Sequence, residues 1–234
     1  MATAAPDAPG FWSDAETDNG LSGGFERELA DELARRLGLQ EVVVERIDFA
    51  DIAAGRLGRA DLALSQMTPT SGRERHADFT TPYLSAAPAV LARASVANEG
   101  DTVDMARLRA LRFAVVEVST LAAVVRERIR PVQESVSAVD RNEELALLRR
   151  GAADAVVLDL PVAQALARRH PDDFVVLGRL GGDEGLAAVL PNGSPNLAVV
   201  DSAIRAMQSD GTIDRLRVRW LGTDADIPFV RSDD

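Results

Sequence analysis

Arg73 and Asp159 are the residues whose type and surroundings carry the most chemistry in this sequence. Arg73 closes a hydroxyl-rich loop, Ser65-Gln66-Met67-Thr68-Pro69-Thr70-Ser71-Gly72-Arg73, that follows the apolar run Leu62-Ala63-Leu64. A guanidinium grips a carboxylate with two parallel N–H bonds, and Ser65, Thr68 and Thr70 can add donors to the same anion. Asp159 ends another apolar run, Ala155 to Leu158. A single Arg or Asp in an α/β protein is usually a solvated surface residue. Both of these stand at the carboxyl end of a buried strand, where open α/β sheets bind their ligands. One position suits a carboxylate, the other an ammonium group.

Catalytic and metal chemistry find little support. The two histidines, His76 and His170, belong to no metal-ligand spacing; both read as solvated, and His170 stands at a helix end after Arg168 and Arg169. There is no G-x-S-x-G elbow, P-loop, G-x-G-x-x-G or EF-hand pattern. With no cysteine, disulfides, thiolate metal sites and cysteine nucleophiles are excluded. The expectation is a protein with no catalytic residue, no metal and no cofactor.

The elements that must hold Arg73 and Asp159 follow from periodicity. Phe25, Leu29, Leu33 and Leu37 recur at four-residue spacing between glycines at 23, 24 and 38, which predicts an amphipathic helix. Val42 to Val44 then reads as a strand, Ile52 to Leu57 as a short helix and Leu62 to Leu64 as a strand. That alternation implies parallel β/α units. A second series follows: strand Phe113 to Val116, helices Leu121 to Ile129 and Glu143 to Leu148, strand Ala155 to Leu158, helix Pro161 to Arg169, strand Phe174 to Leu177. The apolar segments Ala87 to Ala92 and Gly185 to Leu190 read as two crossings between lobes. The last helix, Leu197 to Met207, returns the chain to the first lobe. The expected division is therefore lobe 1 over 1–88 and 187–234, lobe 2 over 92–183, and hinges near 88–92 and 183–187.

Composition bounds the partners. The chain has 234 residues, 46% hydrophobic and 27% charged, as in an ordinary globular protein. Its formal charge of −11 opposes nucleic acid, whose phosphates demand clustered basic residues. No apolar run reaches the ~20 residues of a membrane span, and Met1 to Gly10 lacks the basic and apolar regions of a secretory signal.

Several motifs in order make a resemblance specific. Gly24-Phe25-Glu26, then Thr68-Pro69-Thr70-Ser71-Gly72-Arg73, then Asp78-Phe79-Thr80-Thr81-Pro82-Tyr83 resemble the GFD, T-x-T-x-x-R and DFSxPY patterns of the solute-binding family 3, the amino-acid-binding proteins of ABC importers. Ala153 to Val156 leading to Asp159, and Asp210-Gly211-Thr212 through Trp220-Leu221-Gly222, match in order and spacing. The resemblance runs from about Ala2 to Gly222. It implies an α/β protein of the two-lobed periplasmic-binding-protein type II fold, two α/β domains joined by two hinge crossings. It also implies a monomer that captures an amino acid or similar zwitterion and serves an ABC permease outside the cytoplasm, with its signal or anchor outside the sequence given.

By resemblance, Arg73 binds the ligand carboxylate, the backbone and hydroxyls at Ser65, Gln66, Thr68 and Thr70 assist it or hold the amine, and Phe49 stacks on the ligand side chain. Ser119 and Thr120 match a carboxylate-binding turn at a helix start, and Asp159 receives the α-ammonium. The sequence departs from the family pattern at Ala4, where an acidic residue is usual, and at Asp7, where an aromatic is usual. Trp12 can replace that aromatic surface or pack in the core. Glu117 and Asp7 can receive a cationic side chain or remain solvated, and Val118 stands where a glycine is usual. Two other readings fit the same scaffold: an input domain of a larger receptor or permease fusion, and an enzyme resembling the cyclohexadienyl dehydratases, for which Glu117 is the nameable acid.

Overall fold

A computed structural model describes residues 1–4, 8–12, 23–97, 103–222 and 227–231. The chain divides into two compact units, Met1–Ser85 with Glu184–Gly222, and Ala86–Asp183 with Thr223–Asp234.

Unit 1 begins with strand β1 (Ala2–Thr3) and helix α1 (Phe25–Arg36), then β2 (Glu45–Arg46), α2 (Phe49–Ala53), β3 (Ala63–Met67), β4 (Ala77–Phe79) and β5 (Leu84–Ala86). Helix α1 buries Phe25, Leu29, Ala30 and Leu33 and keeps Arg35 and Arg36 in its last turn, where cations suit the helix dipole. The predicted strand at Val42 to Val44 does not form: Val43 is 61% exposed and pairing begins only at Glu45.

Unit 2 follows with β6 (Pro88–Arg93), α3 (Met105–Ala110), β7 (Ala114–Val116), α4 (Thr120–Ala123), β8 (Val136–Ala138), α5 (Arg141–Arg149), β9 (Ala155–Asp159), α6 (Leu160–Arg169) and β10 (Phe174–Arg179). The chain then returns to unit 1 through β11 (Glu184–Pro191), α7 (Leu197–Ser209) and α8 (Thr212–Trp220). The predicted helix over 121–129 is α4 continued by a π-helical turn, Val124–Ile129, which stops at Arg130 in the left-handed region (φ 57°).

The sheet of unit 1 has the order β2-β1-β3-β11-β4, with β5 also on β11. Pairing of β1 with β2 and β3 is parallel, while β11 runs antiparallel to β3 and β4. In unit 2, β6 lies between β10 and β9, antiparallel to both, and β7 pairs in parallel with β8. The parallel units expected from the alternation are thus mixed with antiparallel pairs.

Those antiparallel pairs run through the two segments read as crossings. They form β6 and β11, interior strands of their sheets, and Ala89 to Ala92 and Ala187 to Leu190 are fully buried. A continuous apolar run is what a strand covered on both faces requires. The unit boundaries fall just before these strands, at 85/86 and 183/184.

One correction concerns the tail, expected in lobe 1 but grouped with unit 2. Arg179 N–H bonds the Pro228 carbonyl at 2.9 Å, Arg231 N–H bonds the Val103 carbonyl at 3.1 Å, and Val230 packs against the core of unit 2. The Arg179 guanidinium lies 4.1 Å from the Phe229 ring centroid.

Candidate ligand-binding site

Every residue of β3 is buried, so the chain emerges at Met67 from the middle of the unit 1 sheet into the hydroxyl-rich loop. Local side chains set the loop's path. Ser65 Oγ accepts the Ala4 N–H at 3.1 Å, and Thr70 Oγ1 accepts the Arg73 N–H at 3.2 Å, fixing the start of the 3-10 turn Arg73–Arg75. Arg73 is only 8% exposed; its Nη1 donates to the Thr68 carbonyl at 2.8 Å, and its guanidinium lies 5.7 Å from the Phe49 ring centroid. Burial lowers the Arg73 pKa and nearby Glu184 opposes that shift. An arginine nevertheless stays charged at neutral pH. The result is a largely buried cation held from one side by a carbonyl and flanked by an aromatic face, which can take a carboxylate in bidentate fashion.

Thr68 is tied to a carboxylate of its own unit. Its hydroxyl donates to Glu184 Oε2 at 2.9 Å, so that proton is committed to a carboxylate of the chain itself.

The loop is held from beneath by Glu26. This residue is fully buried in the first turn of α1. Its Oε2 accepts Trp12 Nε1–H at 2.7 Å, its Oε1 accepts the Gln66 N–H at 2.8 Å, and Tyr83 donates its hydroxyl to Oε1. Gln66 is one of two non-glycine residues with positive φ among those described (48°), a conformation costly enough to need outside support. Burial raises the Glu26 pKa, and the bonds from Tyr83, Gln66 and Trp12 work against that rise.

In unit 2, Asp159 is 4% exposed at the end of β9, directly opposite Pro88 on β6. It begins α6, yet its carboxylate makes no capping bond to that helix. Ser119 caps α4 by accepting the Leu121 N–H at 3.1 Å, which sets Thr120 at the helix start. Beneath this turn, buried Glu144 accepts the Val116 N–H at 3.0 Å. Burial pushes the Glu144 carboxyl up to about 8, against the pull of Arg141 and the Val116 N–H.

Within unit 1 the structure therefore gathers Ser65, Gln66, Thr68, Thr70, Arg73 and Phe49; within unit 2 it places Ser119, Thr120 and Asp159 at strand ends and helix starts. Trp12 is corrected to a core residue, since it is fully buried and its ring N–H is taken by Glu26. Glu117 has a side chain 57% exposed, 3.7 Å from Arg126, with Ser137 Oγ donating to it at 3.4 Å. Asp7 lies outside the described residues. Sequence reasoning missed Glu26, Glu144 and Glu184. Glu26 carried the signal of an acid in a first helical turn, which ordinarily means a solvated dipole partner. Glu144 and Glu184 carried none. Among the described residues no His, Asp and Glu cluster could hold a metal ion, and no helix is long and apolar enough to cross a membrane.

Residues 3–223 match the model of the bacterial extracellular solute-binding proteins, family 3. The chain belongs to that family. It is similar to the L-cystine-binding protein TcyJ of Escherichia coli, 27% identical over 208 residues that cover 88% of this chain and 77% of that one. It also resembles a solved ancestral arginine-binding protein bound to arginine, with a TM-score of 0.79, 27% identity, and 94% and 96% of the two chains covered. Part of a longer protein is similar too: the membrane-bound lytic murein transglycosylase F of Ectopseudomonas mendocina, 29% identical, with 87% of this chain matching 42% of that one. The two α/β units thus have the type II periplasmic-binding-protein fold.

Proposed function

We propose that this chain is an extracytoplasmic amino-acid-binding protein that delivers its ligand to an ABC permease and performs no chemistry on it. The observation that carries this reading is Arg73, a buried guanidinium with one face held by the Thr68 carbonyl and Phe49 alongside. A guanidinium presented this way can take a ligand α-carboxylate with two parallel N–H bonds. Asp159, buried at the end of β9, takes the α-ammonium. Ser119 and Thr120 add donors from unit 2, while Ser65, Gln66 and Thr70 hold the loop that presents Arg73. The two units close on the zwitterion, which shifts the open–closed equilibrium by its differential affinity for the closed form.

Relatives named for cystine and arginine binding support an amino acid as ligand. The match to part of a lytic transglycosylase keeps a second reading in view, that of a ligand-sensing domain within a longer protein.

A thermal-shift screen against the common amino acids tests the proposal. At 100 times its dissociation constant a ligand stabilises the folded state by about 2.7 kcal/mol. Arg73→Ala and Asp159→Ala should each abolish the shift with the fold retained. If both variants still respond to an α-amino acid, the assignment of the site is wrong.

A further inference from the structure

Unit 1 also holds a cavity of about 290 Å³ whose lining shares no residue with the Arg73 loop. It lies among the start of β5, the end of α7 and the first turns of α8, so it is built within one unit. Its apolar part comes from Tyr83, Leu84 and Ile213, all buried. Gln208 from the last turn of α7, and Asp214 and Arg217 from α8, add polar groups.

The spacing on α8 explains why charge and apolar surface meet here. Ile213 and Arg217 stand four residues apart, Asp214 and Arg217 three, so the three share one side of the helix. Ile213 packs inward, Arg217 is half-buried and Asp214 is exposed. Arg217 Nε lies 3.9 Å from Asp214 Oδ1, beyond hydrogen-bond length. Among the described residues neither side chain makes a hydrogen bond, so both keep their capacity for one. Gln208 donates Nε2 to the Pro82 carbonyl at 2.8 Å, which leaves its amide oxygen as an acceptor.

These groups select a ligand chemistry. A simple anion would meet Arg217 in the repulsive field of Asp214, and a simple cation would meet the reverse. A carboxylate and an ammonium on neighbouring atoms satisfy both. At ~30 Å³ for each water-sized volume, the cavity has room for about ten non-hydrogen atoms. Its buried floor favours an apolar body. We propose that this cavity is a second ligand site, for a zwitterion of α-amino-acid type with an aliphatic side chain: carboxylate on Arg217, ammonium on Asp214 and Gln208, side chain on Leu84 and Ile213. The proposal stands on unit 1 alone and does not depend on the Arg73 site.

Methyl NMR of the full chain tests it, with L-leucine as the probe and the Ile213 signal assigned through Ile213→Val. The Ile213 methyl should shift saturably. The same dissociation constant, within ~2-fold, should hold in Arg73→Ala, as for independent sites, with the other methyl signals of that variant confirming its fold. N-acetyl-L-leucine and L-leucinamide each lack one of the two charges and should bind at least ~5-fold more weakly than leucine, as for a lost charge contact at a partly exposed rim. Arg217→Ala and Asp214→Asn should weaken leucine by a similar factor. No saturable shift at Ile213, a shift lost in Arg73→Ala, or equal binding of the singly charged compounds overturns the second site, as does a shift undiminished by both rim variants. Each of these results leaves the Arg73 assignment to its own test, the loss of the thermal shift in Arg73→Ala.

Discussion

Two buried glutamates perform the same task in the two units. Glu26 holds the Gln66 N–H at the end of β3, and Glu144 holds the Val116 N–H at the end of β7. Each fixes backbone directly before a loop that the proposed function gives to the ligand, and under that proposal both are positioning residues. Glu26→Ala removes the acceptor shared by Trp12, Gln66 and Tyr83, and should cost about 3 kcal/mol or more in chemical denaturation, since each buried donor so affected costs about 1–3 kcal/mol. Glu144 predicts a pH dependence. Its pKa rises from 4.5 unfolded to about 8 folded, so the folded state holds the proton more tightly. Its contribution is fully present below pH 4.5 and is lost as pH rises toward 8. Glu144→Gln, which mimics the protonated form and keeps the acceptor for Val116, should therefore flatten the fall in Tm over that window. An unchanged slope in the variant contradicts this assignment.

At the scale of elements, the turn after α2 supplies a controlled comparison. Gly55 and Gly38 have nearly equal φ, 73° and 72°, but a Cβ at Gly55 lies 2.1 Å from the His76 carbonyl oxygen whereas one at Gly38 meets nothing within 4 Å. Gly38→Ala should cost about 1–2 kcal/mol of left-handed strain alone. Gly55→Ala should cost clearly more, because backbone must move; equal losses in urea melts contradict the steric account.

The elements most legible in the sequence are those whose periodicity reports burial directly. Helix α1 is written in Phe25, Leu29 and Leu33, and β9 in Ala155 to Leu158. Strands β6 and β11 were legible as extended and apolar, but not as sheet centres, because a run buried on both faces looks the same wherever its partners lie in the chain. The Val42 to Val44 run failed for the opposite reason: β propensity without a pairing partner makes no strand. Arg73 and Asp159 stand out in the sequence because chemistry and strand ends coincide there. The Thr68–Glu184 bond spans 116 positions and leaves no local trace.

For the whole molecule, the tail is the clearest long-range device. Phe229 and Val230 dock on β10, and Gly178 is small enough to admit them, since a Cβ there would lie 2.9 Å from Val230 Cγ2. A chain ending at Gly222 should show a lower Tm in calorimetry, with unit 2 losing most, and should still gain stability from ligand, because no residue assigned to the ligand lies in the tail. Loss of the ligand response on truncation contradicts that separation.

The return of the chain through β11 also shapes how the protein is made. Met67 on β3 waits for Ala187, its partner in the sheet, 120 residues further along. At about 5–20 residues per second, a ribosome takes roughly 6–24 s to supply it. Unit 2, nearly contiguous, can gather its core while the first 85 residues still lack the strand at the centre of their sheet.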